Sequence, residues 1–362
     1  MKRFLIILLV IALTVTSALF LFMRRPNTSN LTSVTSTPLP TNKEYTEDYL
    51  QYLESQILSG GPPKDGIPPI DNPIYVSIEE SDYLNDFDKV FVYEAKEEVY
   101  IYPQRILVWH EIVNDTIDNE NVAITYCPLT GSTICYLTTS NLETNTYGTS
   151  GKLLNSNLVM YDRKTDSYIP QILGIGINND LKNVTLPIKP VHWANWKDAK
   201  EAFPSAKVLS TDTGFFRDYN QDPYGSYLPD SDNSYYYFGE PIFPVLNEND
   251  QFVDKKIVVG IKHNSKYIAL DPLLVREKKV LDINIDESKA VALYDEELKT
   301  VRIFLNSDHL SFIPTENGYT DNNGLKYSYR GQSKNSALKP LNYFDVMWFA
   351  WYAYYPDTEV IK

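Results

Sequence analysis

Histidine and cysteine are scarce in this chain of 362 residues, which has four histidines and two cysteines. No two histidines are close in sequence, and no H-E-x-x-H, C-x-x-C or glycine-rich phosphate-binding motif occurs. Such motifs mark zinc hydrolases, dithiol redox centres and nucleotide sites, because their ligands must converge at fixed spacing. The G-x-S-x-G turn of α/β-hydrolases is absent as well. The sequence therefore carries the signature of none of these four classes.

Positive charge is also in deficit, with 33 Lys and Arg against 47 Asp and Glu. So acidic a surface repels phosphate backbones, which argues against nucleic acid as a partner. It gives no electrostatic help at an anionic lipid surface either, so membrane attachment would need an apolar segment. Tyrosine, by contrast, is abundant, with 28 residues. Its ring suits half-buried strands and interfaces, so the composition favours a β-rich fold.

An apolar segment of the required kind lies at the N-terminus. Residues 4–23 carry no charge and are flanked by basic residues on both sides. At about 1.5 Å per residue they span roughly 30 Å, the thickness of the hydrocarbon core. Residues 16–18 resemble a signal-peptide cleavage site, but the apolar run continues past them, so we expect an uncleaved anchor over 1–25. Since large domains after a first segment commonly translocate, we expect a single-pass membrane protein with its soluble domain outside the cytoplasm.

Residues 26–44 are dense in Ser, Thr, Asn and Pro and predict a flexible linker. A single large soluble domain is expected over 45–362. Apolar residues at helical spacing over 45–57 predict its first helix. Further helices are predicted over 195–203 and, with aromatic residues on one face, over 341–355.

Short apolar runs between turn residues predict strands in the rest of the chain, the last two forming a hairpin. The runs are 90–92, 99–102, 122–126, 158–161, 257–259, 267–270, 291–294 and 300–304. The predicted fold class is therefore α+β: a β-rich mixed fold with peripheral helices and a C-terminal helix, preceded by one N-terminal transmembrane helix.

Two stretches carry the most specific pattern. Residues 102–115 read Tyr-Pro-Gln-Arg-Ile-Leu-Val-Trp-His-Glu-Ile-Val-Asn-Asp, and residues 125–132 read Thr-Tyr-Cys-Pro-Leu-Thr-Gly-Ser. They resemble the prokaryotic family catalogued as Domain of Unknown Function 3179, which shows Tyr-Pro-x-Arg-Ile-Leu-x-x-His-Glu-Ile-Val-Asn-Asp followed by Tyr-Cys-Pro-Leu-x-Gly. The resemblance covers nearly all of the chain from about Gly60, including 155–165 and 193–196. The family name implies kinship without an established activity.

The variable position of Cys-Pro-Leu-x-Gly is often Cys in that family, which implies a redox pair of the C-x-x-C type. Here the position is Thr130, whose hydroxyl can donate a hydrogen bond to a Cys127 thiolate but cannot form a disulfide. Cys135 could instead pair with Cys127 across a hairpin, or it could be a small buried strand residue. Cys127 itself is either a reactive thiol at a turn or a buried hydrophobe.

His110 and Glu111 are the other catalytic candidates. Neighbours on a strand or helix diverge, so only one of them would face Cys127. A His beside a Cys can activate it or share a metal with it, and the alternative is a structural hydrogen bond. Candidate catalytic residues are Cys127, Thr130, His110 and Glu111. Candidate binding residues within the family-like stretches, where ion pairs that fix the fold are the alternative role, are Arg105, Asn114, Asp115, Lys152, Asp162 and Arg163.

Three functions remain open at this point. The first is thiol-based redox or transfer chemistry at Cys127. The second is a surface-anchored binding or assembly module that uses the aromatic surface without catalysis. The third is a metal site built from Cys127 and His110 with a carboxylate. No cofactor is identified, although a metal is compatible with the third function. The expected partners are the membrane, through the N-terminal helix, and an unknown small molecule or protein.

Overall fold

The computed structural model describes residues 45–140, 143–227, 234–237, 239–285 and 288–362. These residues belong to one compact unit, and they form a β-rich fold with few helices, as predicted. The predicted membrane anchor and linker, residues 1–44, lie outside the described residues. Within those ranges no helix is both long and apolar enough to cross a membrane.

The described residues contain five short α-helices. They are α1 (Glu47–Ser55), α2 (Gln104–His110), α3 (Trp196–Ala202), α4 (Pro272–Lys278) and α5 (Trp348–Tyr354). The predicted first helix is confirmed as α1, which begins where the Thr46 hydroxyl accepts the N–H of Tyr49 at 3.3 Å. Such a cap satisfies a backbone donor that has no partner inside the helix. The predicted helix over 195–203 is confirmed as α3.

The strands are short and numerous. In chain order they are β1 (Leu58–Ser59), β2 (Tyr75–Val76), β3 (Lys89–Glu94), β4 (Val99–Pro103), β5 (Ile112–Ile117), β6 (Glu120–Cys127), β7 (Ser132–Leu137), β8 (Thr139–Ser140), β9 (Glu143–Thr144), β10 (Tyr147–Leu154), β11 (Asn157–Asp162), β12 (Tyr168–Pro170), β13 (Ile188–Lys189), β14 (His192–Asn195), β15 (Lys207–Leu209), β16 (Ile257–His263), β17 (Lys266–Leu270), β18 (Val280–Ile285), β19 (Ser288–Asp295), β20 (Thr300–Leu305), β21 (Phe312–Thr315), β22 (Gly318–Asp321), β23 (Lys326–Tyr327), β24 (Lys339–Pro340), β25 (Tyr343–Met347) and β26 (Glu359–Ile361). Every predicted strand is among them, and β19 and β20 form the predicted hairpin.

These strands build several small sheets rather than one large one. Apart from the β8–β9 ribbon, the strand orders are β1-β10-β11-β12, β13-β7-β6-β5, β14-β3-β4-β15-β2, β25-β16-β17-β26, β18-β19-β20-β24 and β21-β22-β23. Most neighbouring strands are antiparallel, which suits short connections along the chain. The β6–β7 hairpin lies in the second of these sheets.

Both faces of the β6–β7 hairpin are buried, each in a different hydrophobic core. Cys127 and Ile134 pack in one core, together with the aromatic residues of α5. Ile124 and Cys135 pack in a second core, on the other face. Successive side chains of a strand point to opposite sides, so the hairpin separates two packed layers.

A buried group of charges connects β3 with the β19–β20 hairpin. Arg302 donates to the carboxylates of Asp295 at 2.7 Å and Glu94 at 2.6 Å. Its guanidinium also lies 3.1 Å from Nε2 of His192. A guanidinium only donates, so Nε2 accepts and the imidazole is neutral. Burial and the charge of Arg302 keep the pKa of His192 well below its usual value.

The predicted helix over 341–355 is wrong in its first half. Residues Tyr343–Met347 form β25, which pairs antiparallel with β16, and α5 begins only at Trp348. The aromatic spacing fits a helix, but pairing with β16 satisfies the backbone groups of a segment buried on both sides. The chain also continues beyond α5 into β26, which pairs with β17, so a strand and not a helix closes the described fold.

Candidate functional site

Cys127 is the last residue of β6 and directly precedes the turn that leads to β7. Cys127 and Ser132 oppose each other at the ends of β6 and β7, and the backbone N–H of Thr130 donates to the Cys127 carbonyl at 3.2 Å. Gly131 has a φ of 54°, a left-handed conformation that glycine adopts without a steric penalty. Cys127 is fully buried, and its Sγ lies 3.4 Å from the donating N–H of Leu158 on β11.

Cys135 lies on the opposite face of the hairpin from Cys127. The register pairs Cys127 with Ser132 and Cys135 with Ile124. The side chains of residues 127 and 135 therefore point to opposite faces of the hairpin, and the two thiols lie in different cores. Both cysteines are free. The disulfide alternative is therefore wrong, and the interpretation of Cys135 as a small buried strand residue is confirmed.

Glu111 places a buried carboxyl group near Cys127. It follows the last residue of α2 and has a φ of 59°, a strained backbone conformation for a residue with a side chain. The residue is 7% exposed, and no described residue donates a hydrogen bond to its carboxyl group. Burial raises the pKa of Glu111 to about 8. The carboxyl group is therefore mostly protonated at neutral pH, and it becomes a base just above it.

The thiol of Cys127 is neutral under the same conditions. Burial first and the charge of Glu111 second raise the pKa of Cys127 to about 11. The hydrogen bond from the Leu158 N–H acts in the other direction and favours the thiolate. The Thr130 hydroxyl, which was expected to donate to Cys127, lies instead 2.8 Å from the Ser132 hydroxyl.

Two tyrosines lie near this pair of groups, and a lysine packs on one of them. Burial and the charges of Glu111 and Cys127 raise the pKa of Tyr224. Tyr235 donates its hydroxyl to the Leu129 carbonyl at 2.6 Å. The Lys255 ammonium lies 3.5 Å from the ring centroid of Tyr235, and burial lowers the pKa of this lysine to about 8. The sequence reasoning missed Lys255 and Tyr235, because neither lies in a recognised motif.

A fully buried polar network holds the Cys127 turn against β11. Asn157 donates to Thr130 Oγ1 at 3.0 Å and to Gln171 Oε1 at 2.8 Å, and it accepts the N–H of Ile172 at 2.9 Å. Ser132 donates to Gln171 at 2.6 Å. Because buried polar groups are costly unless paired, this network fixes one geometry for the turn. Asn157 lies within a family-like stretch, which was the one sequence signal for it.

His110 points to different partners. Its Nδ1 lies 2.7 Å from the Pro68 carbonyl, and its Nε2 lies 2.6 Å from the hydroxyl of Tyr219. A carbonyl only accepts, so Nδ1 carries the proton and Nε2 accepts from Tyr219. Burial lowers the pKa of His110 to about 4. Both ring nitrogens therefore hold structural hydrogen bonds, and neither bonds to Cys127.

The predicted binding residues are mostly paired within the fold. Asn114 donates to Asp71 at 2.8 Å and to the Tyr147 carbonyl at 2.9 Å, and Arg163 pairs with the same Asp71 at 2.7 Å. These contacts fasten the segment that precedes β2 onto neighbouring strands. Arg105 pairs with Asp88, and Asp115 accepts a hydrogen bond from Tyr75. Asp162 accepts from Thr165, and the Lys152 ammonium lies over the ring of Tyr168.

A family model described as a protein of unknown function, DUF3179, matches residues 64–358. The chain belongs to the DUF3179 family. The resemblance seen in the sequence is therefore confirmed for nearly the whole of the described domain. Searches of curated proteins and of solved structures find no match to the chain.

The site of this DUF3179 chain contains a thiol, Cys127, whose pKa the charge of Glu111 raises. Within the part of the chain that the structure describes, no group of three or more His, Cys, Asp or Glu residues could hold a metal ion. The Leu158 N–H on β11 donates to the Cys127 sulfur, and the charge of Glu111 acts on the same thiol.

Proposed function

We propose that this protein catalyses thiol-dependent group transfer, with Cys127 as the nucleophile and Glu111 as its general base. The observation that carries the proposal is the buried Glu111 carboxyl group, which no described residue hydrogen-bonds and whose charge acts on the Cys127 sulfur. A largely buried carboxyl group whose pKa is raised by desolvation is costly to ionise, and such groups are concentrated at functional sites.

The reaction balances with these two groups alone. Ionised Glu111 takes the Cys127 proton as the sulfur attacks an electrophilic carbon, and the transferred group becomes bound to sulfur. The protonated Glu111 then returns its proton to the leaving group. An acceptor nucleophile, whose proton Glu111 takes, later attacks the transferred group, and Glu111 passes that proton to the departing sulfur to restore the free thiol.

Transfer is favoured over dithiol redox cycling because the described site offers no second thiol. The position that would hold it is Thr130, and Cys135 faces the other core. Thiol–disulfide exchange within one chain needs two sulfurs within bonding reach, whereas transfer needs one sulfur and a base.

The test measures the rate at which methyl methanethiosulfonate, a small neutral reagent, modifies Cys127 between pH 6 and pH 11. The protein carries Cys135→Ser so that only one thiol is followed. We expect the rate to rise with an inflection near pH 8, the pKa of Glu111, rather than near pH 11.

Glu111→Gln separates the base role from simple electrostatics. Removing the negative charge lowers the pKa of Cys127, so a purely electrostatic Glu111 would make the variant more reactive at pH 8. A general base makes it less reactive and abolishes the inflection. The control is the Cys127→Ser variant, which retains Cys135. Because Cys135 is equally buried, its rate of modification gives the rate at which a thiol reacts through unfolding alone. The proposal fails if Cys127 reacts no faster than Cys135, or if Glu111→Gln reacts as fast as the parent.

We further propose that the domain lies outside the cytoplasm on an N-terminal anchor. What supports this is the uncharged apolar run of residues 4–23 with basic residues on both sides. Protease added to intact cells should then degrade the domain, and its survival until the cells are lysed would contradict the placement.

A further inference from the structure

The amine of Lys89 has an unusual neighbour. Lys89 begins β3 and Asn195 ends β14, and the register places the two residues directly opposite each other. The Lys89 Nζ lies 3.2 Å from the side-chain Oδ1 of Asn195. No carboxylate of the described residues lies within ion-pair distance of this amine. The amine therefore contacts a side-chain carboxamide where a buried lysine ordinarily meets an acid.

The surroundings of Lys89 favour a neutral amine. All three residues concerned, Lys89, Asn195 and Asp345, are half-buried. Burial lowers the pKa of Lys89, although the charges of Asp345 and Asp198 oppose that shift. Burial also raises the pKa of Asp345 to about 7. A desolvated, neutral amine in contact with a carboxamide is the nucleophile that attack on that group needs.

We propose that Lys89 and Asn195 react within the folded chain to form an isopeptide bond. The neutral Lys89 nitrogen attacks the Asn195 Cγ carbon, and a new carbon–nitrogen bond forms. The bond from Cγ to Nδ2 breaks, and Nδ2 leaves as ammonia with the proton that the Lys89 nitrogen gives up. One amide replaces another, so the step needs neither oxidant nor reductant.

The bond would tie β3 covalently to β14. All of the chain between them, including the β6–β7 hairpin with Cys127, would then lie in one closed loop. A cross-link of this kind restricts the unfolded chain as a disulfide does, in a domain whose two cysteines are both free. The proposal is independent of the chemistry at Cys127.

The test is mass spectrometry of the purified full-length protein after its termini have been defined. We expect an intact mass about 17 Da below the sequence mass, the loss of one ammonia. Cyclisation of another asparagine releases ammonia too, so the decisive result is a branched peptide that contains both Lys89 and Asn195 after digestion. Lys89→Arg should restore the sequence mass and abolish the branched peptide.

Two carboxylate variants test the charges that act on Lys89. Asp345→Asn and Asp198→Asn each remove a charge that favours the protonated amine, so both should still give the branched peptide. A parent protein at its sequence mass, with Lys89 and Asn195 in separate peptides, overturns the proposal. That result is read on the parent chain, so it does not depend on whether any variant folds.

Discussion

Replacing Glu111 with glutamine should make the folded protein more stable at neutral pH. Burial raises the pKa of Glu111 from 4.5 to about 8. Between those values the folded chain keeps a proton that the unfolded chain has released. A raised carboxyl pKa therefore contributes stability that is complete below about pH 4.5 and is lost as the pH rises toward 8. Glutamine has nearly the same shape and never ionises, so it removes this loss.

The size of the effect follows from the two pKa values. The interval from 4.5 to pH 7 is about 2.5 pKa units, and each unit corresponds to about 1.4 kcal/mol. The carboxyl group should therefore reduce the free energy of unfolding of the parent by about 3 kcal/mol between pH 4.5 and pH 7. That is a large fraction of the stability of an ordinary domain, so the effect should be readily measurable.

Urea unfolding of the parent and Glu111→Gln at intervals from pH 5 to pH 8 measures this quantity. The other titrating groups are common to both chains, so the difference between the two free energies isolates Glu111. We expect that difference to grow by about 1.4 kcal/mol per pH unit and to level off near pH 8. Glu47→Gln, which removes an exposed carboxyl group at the start of α1, should give a flat difference over this range. Parallel pH curves for the parent and Glu111→Gln would refute the reasoning.

Two substitutions test how the fold holds the site. Asn157→Ala removes a fully buried amide and leaves the Ile172 N–H without its acceptor, so it should cost about 3 kcal/mol in urea unfolding. The half-buried Asn178→Ala should cost about 1 kcal/mol, and equal losses would contradict the role given to the network. Arg302→Met removes the ion-pair partner of the buried Asp295 carboxylate and the closest partner of the half-buried Glu94, and it should cost about 3–5 kcal/mol. Lys64→Met, in an exposed ion pair, should cost less than about 1 kcal/mol, and similar losses for both would show that the buried bridge is weak.

Strands could be predicted wherever an apolar run and its turn lie close together in the sequence. The hairpin of β19 and β20 is such a case, because its pairing and its turn are both local. The segment Tyr343–Met347 is the opposite case. Its spacing of aromatic residues fits a helix, and only the distant strand β16 determines that it pairs instead. A partner so remote in sequence leaves no trace in local periodicity.

The candidate site was predictable in part for the same reason. The Cys127 turn could be recognised because its residues are contiguous in the sequence. The side chains of adjacent residues in a helix or strand point in different directions, so only one of His110 and Glu111 was expected to face the thiol. Which one does so depends on the end of α2 and on the left-handed backbone of Glu111. The face of the hairpin to which the Cys135 side chain points depends on the length of the turn, since one residue more or fewer would move the side chain to the opposite face. Tyr224 and Tyr235 come from a segment distant in sequence, and no local sequence pattern predicted that they lie near Cys127.

The two-sided burial of the β6–β7 hairpin gives the molecule a pair of internal reporters. Cys127 samples one core and Cys135 samples the other, a few residues apart on the same hairpin. Pulsed thiol labelling during refolding can therefore record when each layer closes around its own sulfur. If the two thiols become protected together, the layers fold as one cooperative unit. If one thiol is protected before the other, the two layers on either side of the hairpin fold in separate steps.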